Sequence, residues 1–237
     1  VVQQDWPAGT LMARLSPASR ARLLELGRPV LYEPGEVLMR QGREGSSVYL
    51  LRAAEATTSA CVKITAGDHN GDRTLFAILV SGDVVGELGA LEPNSMRSAT
   101  ATACSRTLAH KIPGGLFLDF LDDHPDAWQA LCRTIVSRLA WSDQRRLDFA
   151  GYGVPVRLAR VLLELVAAHG CSTEQGWVIT VKLSVAELGD LIGAKEDALG
   201  LALSRLRKLE LVSRPANRHR QLIVTDLDGL HAFADLA

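Results

Sequence analysis

The chain has 237 residues, with 26 Lys and Arg against 27 Asp and Glu, and the net charge of −1 means that no bulk basicity announces a nucleic-acid partner. Hydrophobic residues make up 47% and charged ones 22%, which excludes an intrinsically disordered chain and fits one large or two small domains. There is no apolar run of eighteen residues and no charged-then-apolar N-terminus, so a cytoplasmic protein with no membrane partner is expected; the start at Val1 rather than Met leaves room for preceding residues.

Ala8 to Leu26 carries a helical period through Leu11, Leu15, Leu23, Leu24 and Leu26, and Ser16-Pro17 suits a helix start. From Val30 to Ile112 short apolar runs alternate with Gly, Pro, Asn or Asp turns, which predicts an all-β barrel or roll. Phe76–Val80 and Ala101–Ile112 read as strands, Asp68-His69-Asn70-Gly71-Asp72 as a hairpin turn, and Arg52–Thr58 as a distorted loop. Pro125-Asp126 opens a long helix, the proline suiting the first turn and the acid the N-terminal dipole. Along it Cys132, Ile135, Leu139, Ser142, Arg146 and Phe149 recur at steps of three and four, a coiled-coil-like seam that favours a symmetric dimer over a helix packed only on its own barrel, which Leu131 and Val136 could serve. Gly151-Tyr152-Gly153-Val154-Pro155 reads as a hinge. Beyond it come an apolar-faced helix (Val156–Ala168) and a strand (Trp177–Val181). A capping box follows at Ser184-Val185-Ala186-Glu187, then a turn at Gly193-Ala194 and a helix from Lys195 to Leu209. Leu211 to Thr225 suits two strands around Pro215-Ala216-Asn217, a β-wing.

Two stretches carry chemistry. Gly86-Glu87-Leu88, eight residues, then Arg97-Ser98-Ala99 places a carboxylate and a guanidinium–hydroxyl pair around a Gly-containing turn, which suits a sugar bearing a phosphate. Taken alone, such a Glu and Arg are more often a surface ion pair. Between residues 205 and 220 stand six bases (Arg205, Arg207, Lys208, Arg214, Arg218, Arg220) and one acid, a local +5 that fits either phosphate contacts or a solvated basic face. The four cysteines are scattered, no metal-ligand spacing appears, and no triad or P-loop is present, so neither an enzyme nor a metal site is expected. Asp122-Asp123-His124 is the nearest approach to a catalytic cluster and reads better as a helix cap.

The Gly86–Ala99 stretch resembles the phosphate-binding cassette of the cyclic-AMP receptor protein (CRP/FNR) family of bacterial transcription regulators. Tyr32-Glu33-Pro34-Gly35-Glu36, Arg40-Gln41-Gly42, Val48-Tyr49-Leu50-Leu51 and Ser81-Gly82-Asp83 look like the family's strands and turns, in the family's order. The resemblance implies an α+β protein. Residues 1–124 would form an N-terminal cyclic-nucleotide-binding, jelly-roll-like β-roll, 125–150 a long dimerisation helix, 151–155 a hinge and 156–237 a C-terminal winged helix-turn-helix. No cysteine precedes Cys61, against an iron–sulfur sensor, and His69, His110 and His124 are the sensor half's histidines, a minor option for haem. The expected function is a homodimeric regulator whose binding to double-stranded DNA is controlled by a cyclic nucleotide (cAMP, cGMP or a cyclic dinucleotide), with RNA polymerase as a further partner and no other cofactor. The alternatives are a ligand-binding module with a degenerate helix-turn-helix acting through proteins, or ligand-independent DNA binding.

By the same resemblance Glu87 meets a ribose hydroxyl, Arg97 and Ser98 hold the phosphate, and the amides of Gly86, Leu88 and Ala99 assist. Ser142 and Asp143 stand at the base-recognition positions, where the family has two hydroxyl residues. An ionised Asp143 only accepts, from guanine N1–H and N2–H₂ or from the adenine amino group, so a base preference different from the family's usual adenine is expected. On the DNA side Lys195, Glu196, Asp197, Leu201, Ser204, Arg205, Lys208, Arg218 and Arg220 fall on the second helix and wing. Glu196 and Leu201 replace the two arginines with which relatives read guanine, so the family's usual operator is not expected.

Overall fold

The computed structural model describes residues 6–55, 59–67, 73–92, 94–181, 183–213 and 222–235. They fall into two compact units, 1–140 and 141–237. The predicted hairpin turn at 68–72, the tip of the wing, and the end of the 52–58 loop lie outside the described residues.

The first unit opens with helices α1 (Leu11–Arg14) and α2 (Pro17–Glu25). The helical period read from Ala8 to Leu26 is shared between two helices, each with its own cap: Thr10 Oγ1 accepts from Ala13 N, and Ser16 Oγ accepts from Ser19 N with Pro17 in the first turn, the helix start read at Ser16-Pro17. Strands β1 (Arg28–Tyr32), β2 (Val37–Met39), β3 (Val48–Ala53), β4 (Cys61–Gly67), β5 (Arg73–Val80) and β6 (Val84–Val85) follow. After them come helix α3 (Glu87–Leu91), strands β7 (Thr100–Ala103) and β8 (Thr107–Ile112), and helices α4 (Gly114–Asp123) and α5 (Pro125–Gly151). The strands make two antiparallel sheets, ordered β1-β8-β3-β6 and β2-β7-β4-β5, the roll expected from the turn spacing. The run read as one strand from Ala101 to Ile112 is two, turning at 104–106 into different sheets.

Strand β3 shows how both faces of the roll are used. Its alternate residues Tyr49 and Leu51 join Leu38, Val62 and Leu79 inside the roll. Val48 and Leu50 point the other way, into a core built by Leu11, Met12, Leu23, Phe117, Leu121 and Leu131 from the helices. The same packing sets the rotation of α5. Leu131 and Ile135 lie against that core, whereas Val136 and Leu139 are 62% and 59% exposed. This reverses the expected assignment of Ile135 and Val136: the outward stripe runs Cys132, Val136, Leu139, Asp143, Arg146, Ala150, still at steps of four and three.

The second unit takes the end of α5 and continues with α6 (Val154–His169), β9 (Gly170–Thr173), β10 (Gly176–Ile179), α7 (Val185–Ile192), α8 (Glu196–Lys208), β11 (Val212–Ser213), β12 (Ile223–Val224) and α9 (Leu227–Ala234). Its small sheet is ordered β11-β12-β10-β9. Where α5 gives way to α6, a polar network joins them. Trp141 Nε1 donates to Glu164 at 2.7 Å, Arg160 and Gln144 donate to the buried Asp148 at 2.8 and 2.9 Å, and the Arg145 guanidinium lies 4.2 Å over the Trp141 ring. Burial raises the Glu164 carboxyl above its ordinary value and lowers Arg145 to about 10. Among the described residues no helix is long and apolar enough to cross a membrane, and no cluster of His, Cys, Asp or Glu could hold a metal ion.

Candidate ligand pocket and nucleic-acid face

In the first unit, the end of β6 delivers the chain to Gly86, whose φ of +89° is the left-handed turn that starts α3. A Cβ there would sit 2.7 Å from the Ser47 carbonyl oxygen and from Arg97 Nη1, so this turn admits only glycine without rearrangement. Gly86, Glu87, Leu88, Arg97, Ser98 and Ala99 are brought together around one cavity of about 280 Å³, floored by Ile64, Ala77 and Leu79 of the roll. Six of the eight residues read as ligand-binding thus share a wall. Ser142 and Asp143 lie on α5 in the second unit: Ser142 is half-buried, and Asp143 is exposed and accepts from Arg146 at 3.5 Å.

Glu87 is buried and ionically satisfied. Its Oε1 accepts from Arg138 Nη1 at 2.8 Å, and Arg138 Nη2 also donates to the Val84 carbonyl at 2.9 Å and to Asp83 at 3.4 Å. Asp83 in turn accepts from the Val80 amide at 3.0 Å, and burial pushes its carboxyl above the ordinary value despite the Arg138 charge. Arg138 lines the cavity and was not foreseen from the sequence. The available signal was its place one helical turn before Ser142, where i and i+4 share a face.

Arg97 is buried and lies in the wall between this cavity and a larger open groove of about 720 Å³ that also touches Arg40, Arg43 and Lys111. Its Nη1 donates to the Gly86 carbonyl at 2.8 Å and its Nη2 to the Ser47 carbonyl at 2.7 Å. Desolvation lowers its pKa, but the group remains a cation. Here the guanidinium holds the cassette's own backbone. A phosphate would compete with neutral carbonyls for it, bringing an opposite charge and a bidentate geometry that the carbonyls lack. Ser98 is exposed at the rim. His110 Nε2 lies 3.1 Å from Arg52 Nη1, and His124 Nδ1 bonds the Phe120 carbonyl at 2.9 Å; His69 lies outside the described residues.

In the second unit the expected helix–turn–helix is formed by α7 and α8. Ser184 Oγ accepts from the Glu187 amide at 3.2 Å while Glu187 Oε2 accepts from the Ser184 amide at 2.8 Å, the reciprocal capping box. Gly193 ends α7 at φ +60°, and Gly189 is needed because a Cβ would meet the Ala194 carbonyl oxygen at 2.6 Å. On α8, Leu199, Ala202, Leu203 and Leu206 are buried, which turns Lys195, Glu196, Asp197, Leu201, Ser204, Arg205 and Lys208 to solvent. The acids stand in the first turn and the bases in the last, each matched to the helix dipole. Arg205 lies 5.4 Å over the Phe233 ring. Arg218 and Arg220 lie outside the described residues.

Comparison with known proteins agrees with both halves. Residues 29–124 match the cyclic nucleotide-binding domain and residues 156–233 the Crp-like helix-turn-helix domain. The chain is 25% identical over 190 residues to a CRP-like cAMP-activated global transcriptional regulator of Mycobacterium tuberculosis, covering 80% of this chain and 82% of the relative. It is 24% identical over 182 residues to the cAMP-activated global transcriptional regulator CRP of Salmonella typhimurium, covering 77% and 83%. In fold it resembles FixK2 of Bradyrhizobium japonicum (TM-score 0.73, 18% identity, covering 90% of this chain and 99% of that one). It also resembles the c-di-GMP responsive global regulator CLP of Xanthomonas campestris (TM-score 0.73, 19% identity, covering 89% and 100%).

Proposed function

Because the chain belongs to the CRP/FNR family of DNA-binding transcription regulators, which are not enzymes, we propose that it works as a homodimer whose DNA binding is set by a cyclic nucleotide held in the Gly86–Ala99 cassette. The observation that carries this reading is the Arg138–Glu87 pair. It ties α5, the helix expected to form the dimer, to the carboxylate expected to meet the ribose. A ligand that displaces or completes that pair acts on the cassette and on α5 together.

The dimer reading is supported by the exposed stripe through Val136 and Leu139, on a helix whose 27 residues span about 40 Å. A two-fold dimer presents two copies of α8 to successive major grooves about 34 Å apart. To control DNA binding, the ligand must bind the DNA-competent state more tightly than the other.

As to the nucleotide, a cavity of about 280 Å³ stands at the small end of ligand sites, which run from about 300 to 1,000 Å³, and favours a mononucleotide over a cyclic dinucleotide. The M. tuberculosis and S. typhimurium relatives are described as cAMP-activated and the X. campestris neighbour as c-di-GMP responsive. The acceptor-only Asp143, at the position the family gives to base recognition, can accept from guanine N1–H and N2–H₂ or from the adenine amino group, so cyclic GMP stands beside cyclic AMP as the nucleotide to test.

Calorimetric titration with cAMP, cGMP and c-di-GMP tests the proposal, with Arg97→Ala as control. Binding of a cyclic mononucleotide that is lost in Arg97→Ala supports it. No heat with any of the three, beside intact salt-dependent DNA binding, refutes ligand control and leaves a ligand-independent DNA binder.

A further inference from the structure

Leu201 is 76% exposed, although the inner face of its helix is already complete with Leu199, Ala202, Leu203 and Leu206. The side chain therefore contributes little to its own core, and an apolar group faces water. It sits one turn after Asp197 and one turn before Ser204, on the face of α8 left open to solvent. Building on the DNA-binding function proposed above, we infer that Leu201 and Asp197 are the base-reading pair of α8, Leu201 taking a thymine methyl and Asp197 an amino group of cytosine or adenine.

The chemistry of the duplex leaves few other choices. In the major groove the only apolar group at a base edge is the C5-methyl of thymine. An ionised carboxylate accepts only, so Asp197 can pair with cytosine N4–H₂ or adenine N6–H₂. A guanine edge offers it two acceptors, O6 and N7, and is repelled. Four residues advance an α-helix by about 6 Å, against about 3.4 Å per base pair, so the two contacts fall one to two base pairs apart. Lys195 and Lys208 flank them at either end of the helix with solvated cations suited to phosphates. The half-site this face specifies contains a thymine near a cytosine or adenine, with guanine disfavoured where Asp197 stands.

The test is selection of bound duplexes from a randomised pool by the full-length protein, with cAMP and with cGMP added, followed by affinity measurement on the selected site. The selected half-site is expected to hold thymine and a cytosine or adenine at this spacing. Replacing that thymine by deoxyuridine deletes one methyl group and should weaken the wild-type complex about fourfold, while leaving Leu201→Ala unaffected. Leu201→Arg should move the preference to guanine. Selected sites with guanine at both positions, or equal uracil effects in wild-type and Leu201→Ala, would overturn the assignment while leaving DNA binding intact. Failure to enrich any duplex would overturn the DNA-binding reading itself. Enrichment that is the same for wild-type and Leu201→Ala would transfer the exposed leucine to a protein partner.

Discussion

Replacing Arg138 by methionine removes three donated bonds at once, to Glu87 at 2.8 Å, to the Val84 carbonyl at 2.9 Å and to Asp83 at 3.4 Å. Breaking a fully buried ion pair costs about 3–5 kcal/mol. Arg138 keeps 30% of its side chain exposed and its Asp83 contact is long, so screening reduces that loss to about 2 kcal/mol. The Val84 carbonyl left without its donor adds about 1 kcal/mol. The sum of about 3 kcal/mol lowers the Tm of a unit this size by roughly 10 °C. Asp83 is already raised from 3.8 by burial, and losing the guanidinium raises it further. A carboxyl raised by folding contributes stability that is present below its unfolded pKa and is lost as pH climbs through the folded one. The deficit of Arg138→Met is therefore smaller below about pH 4, where the unfolded carboxyl is protonated too, than at neutral pH. Scanning calorimetry of the full-length protein, following the first unit's transition, reads both effects. Adding Glu87→Gln removes one stranded charge and should restore part of the loss. A shift under about 3 °C, or one equally large at both pH values, would refute the reasoning.

Gly86→Ala forces a Cβ to 2.7 Å from the Ser47 carbonyl at a φ of +89°, a strain of about 1–2 kcal/mol before any clash. Nucleotide affinity should fall by at least about tenfold in calorimetry, and unchanged affinity counts against the cassette. Leu139→Lys puts a charge on the exposed α5 stripe of both subunits, so analytical ultracentrifugation should show dimer dissociation strengthened by about a hundredfold or more. An unaltered sedimentation profile would exclude that stripe from the interface. Burial holds the His169 imidazole down at about 4, from 6.5. A base depressed by folding contributes stability that is present above its unfolded pKa and lost as pH falls toward the folded one, so the second unit weakens between about pH 6.5 and about pH 4. His169→Phe should flatten that part of the melting curve, and equal slopes in both proteins would disprove the assignment.

The order of elements was legible because its signals are local. Turn residues punctuate the roll, and Ser184 and Glu187 cap each other across three residues. The two cassette stretches, Gly86–Leu88 and Arg97–Ala99, supply six of the residues that line the cavity, beside others from the roll and Arg138. What escaped the sequence depends on packing at a distance. Glu87 and Arg138 are 51 residues apart, and nothing in either neighbourhood names the other. The orientation of Arg97 follows from where the Ser47 carbonyl arrives, again a long-range fact. The α5 stripe was misplaced by one residue because steps of three and four fit two overlapping frames through Cys132, Leu139 and Arg146. Only the contact of Ile135 with the helical core selects between them.

The last turns of α5 have a mechanical meaning that follows from the groups around Phe149. A Cβ on Gly193 would meet the Phe149 ring at 3.1 Å, and Arg157 covers that ring at 5.4 Å while its Nη1 reaches the Gly193 carbonyl at 3.5 Å. With Trp141 bonded to Glu164 and Asp148 to Arg160, the break at Gly151–Pro155 is cross-braced like an elbow set in plaster. Residues Trp141 to Gly151 are then a crank about 15 Å long rather than the approach to a loose joint. Through Phe149 and Arg157 the end of that crank sits against the bend between α7 and α8.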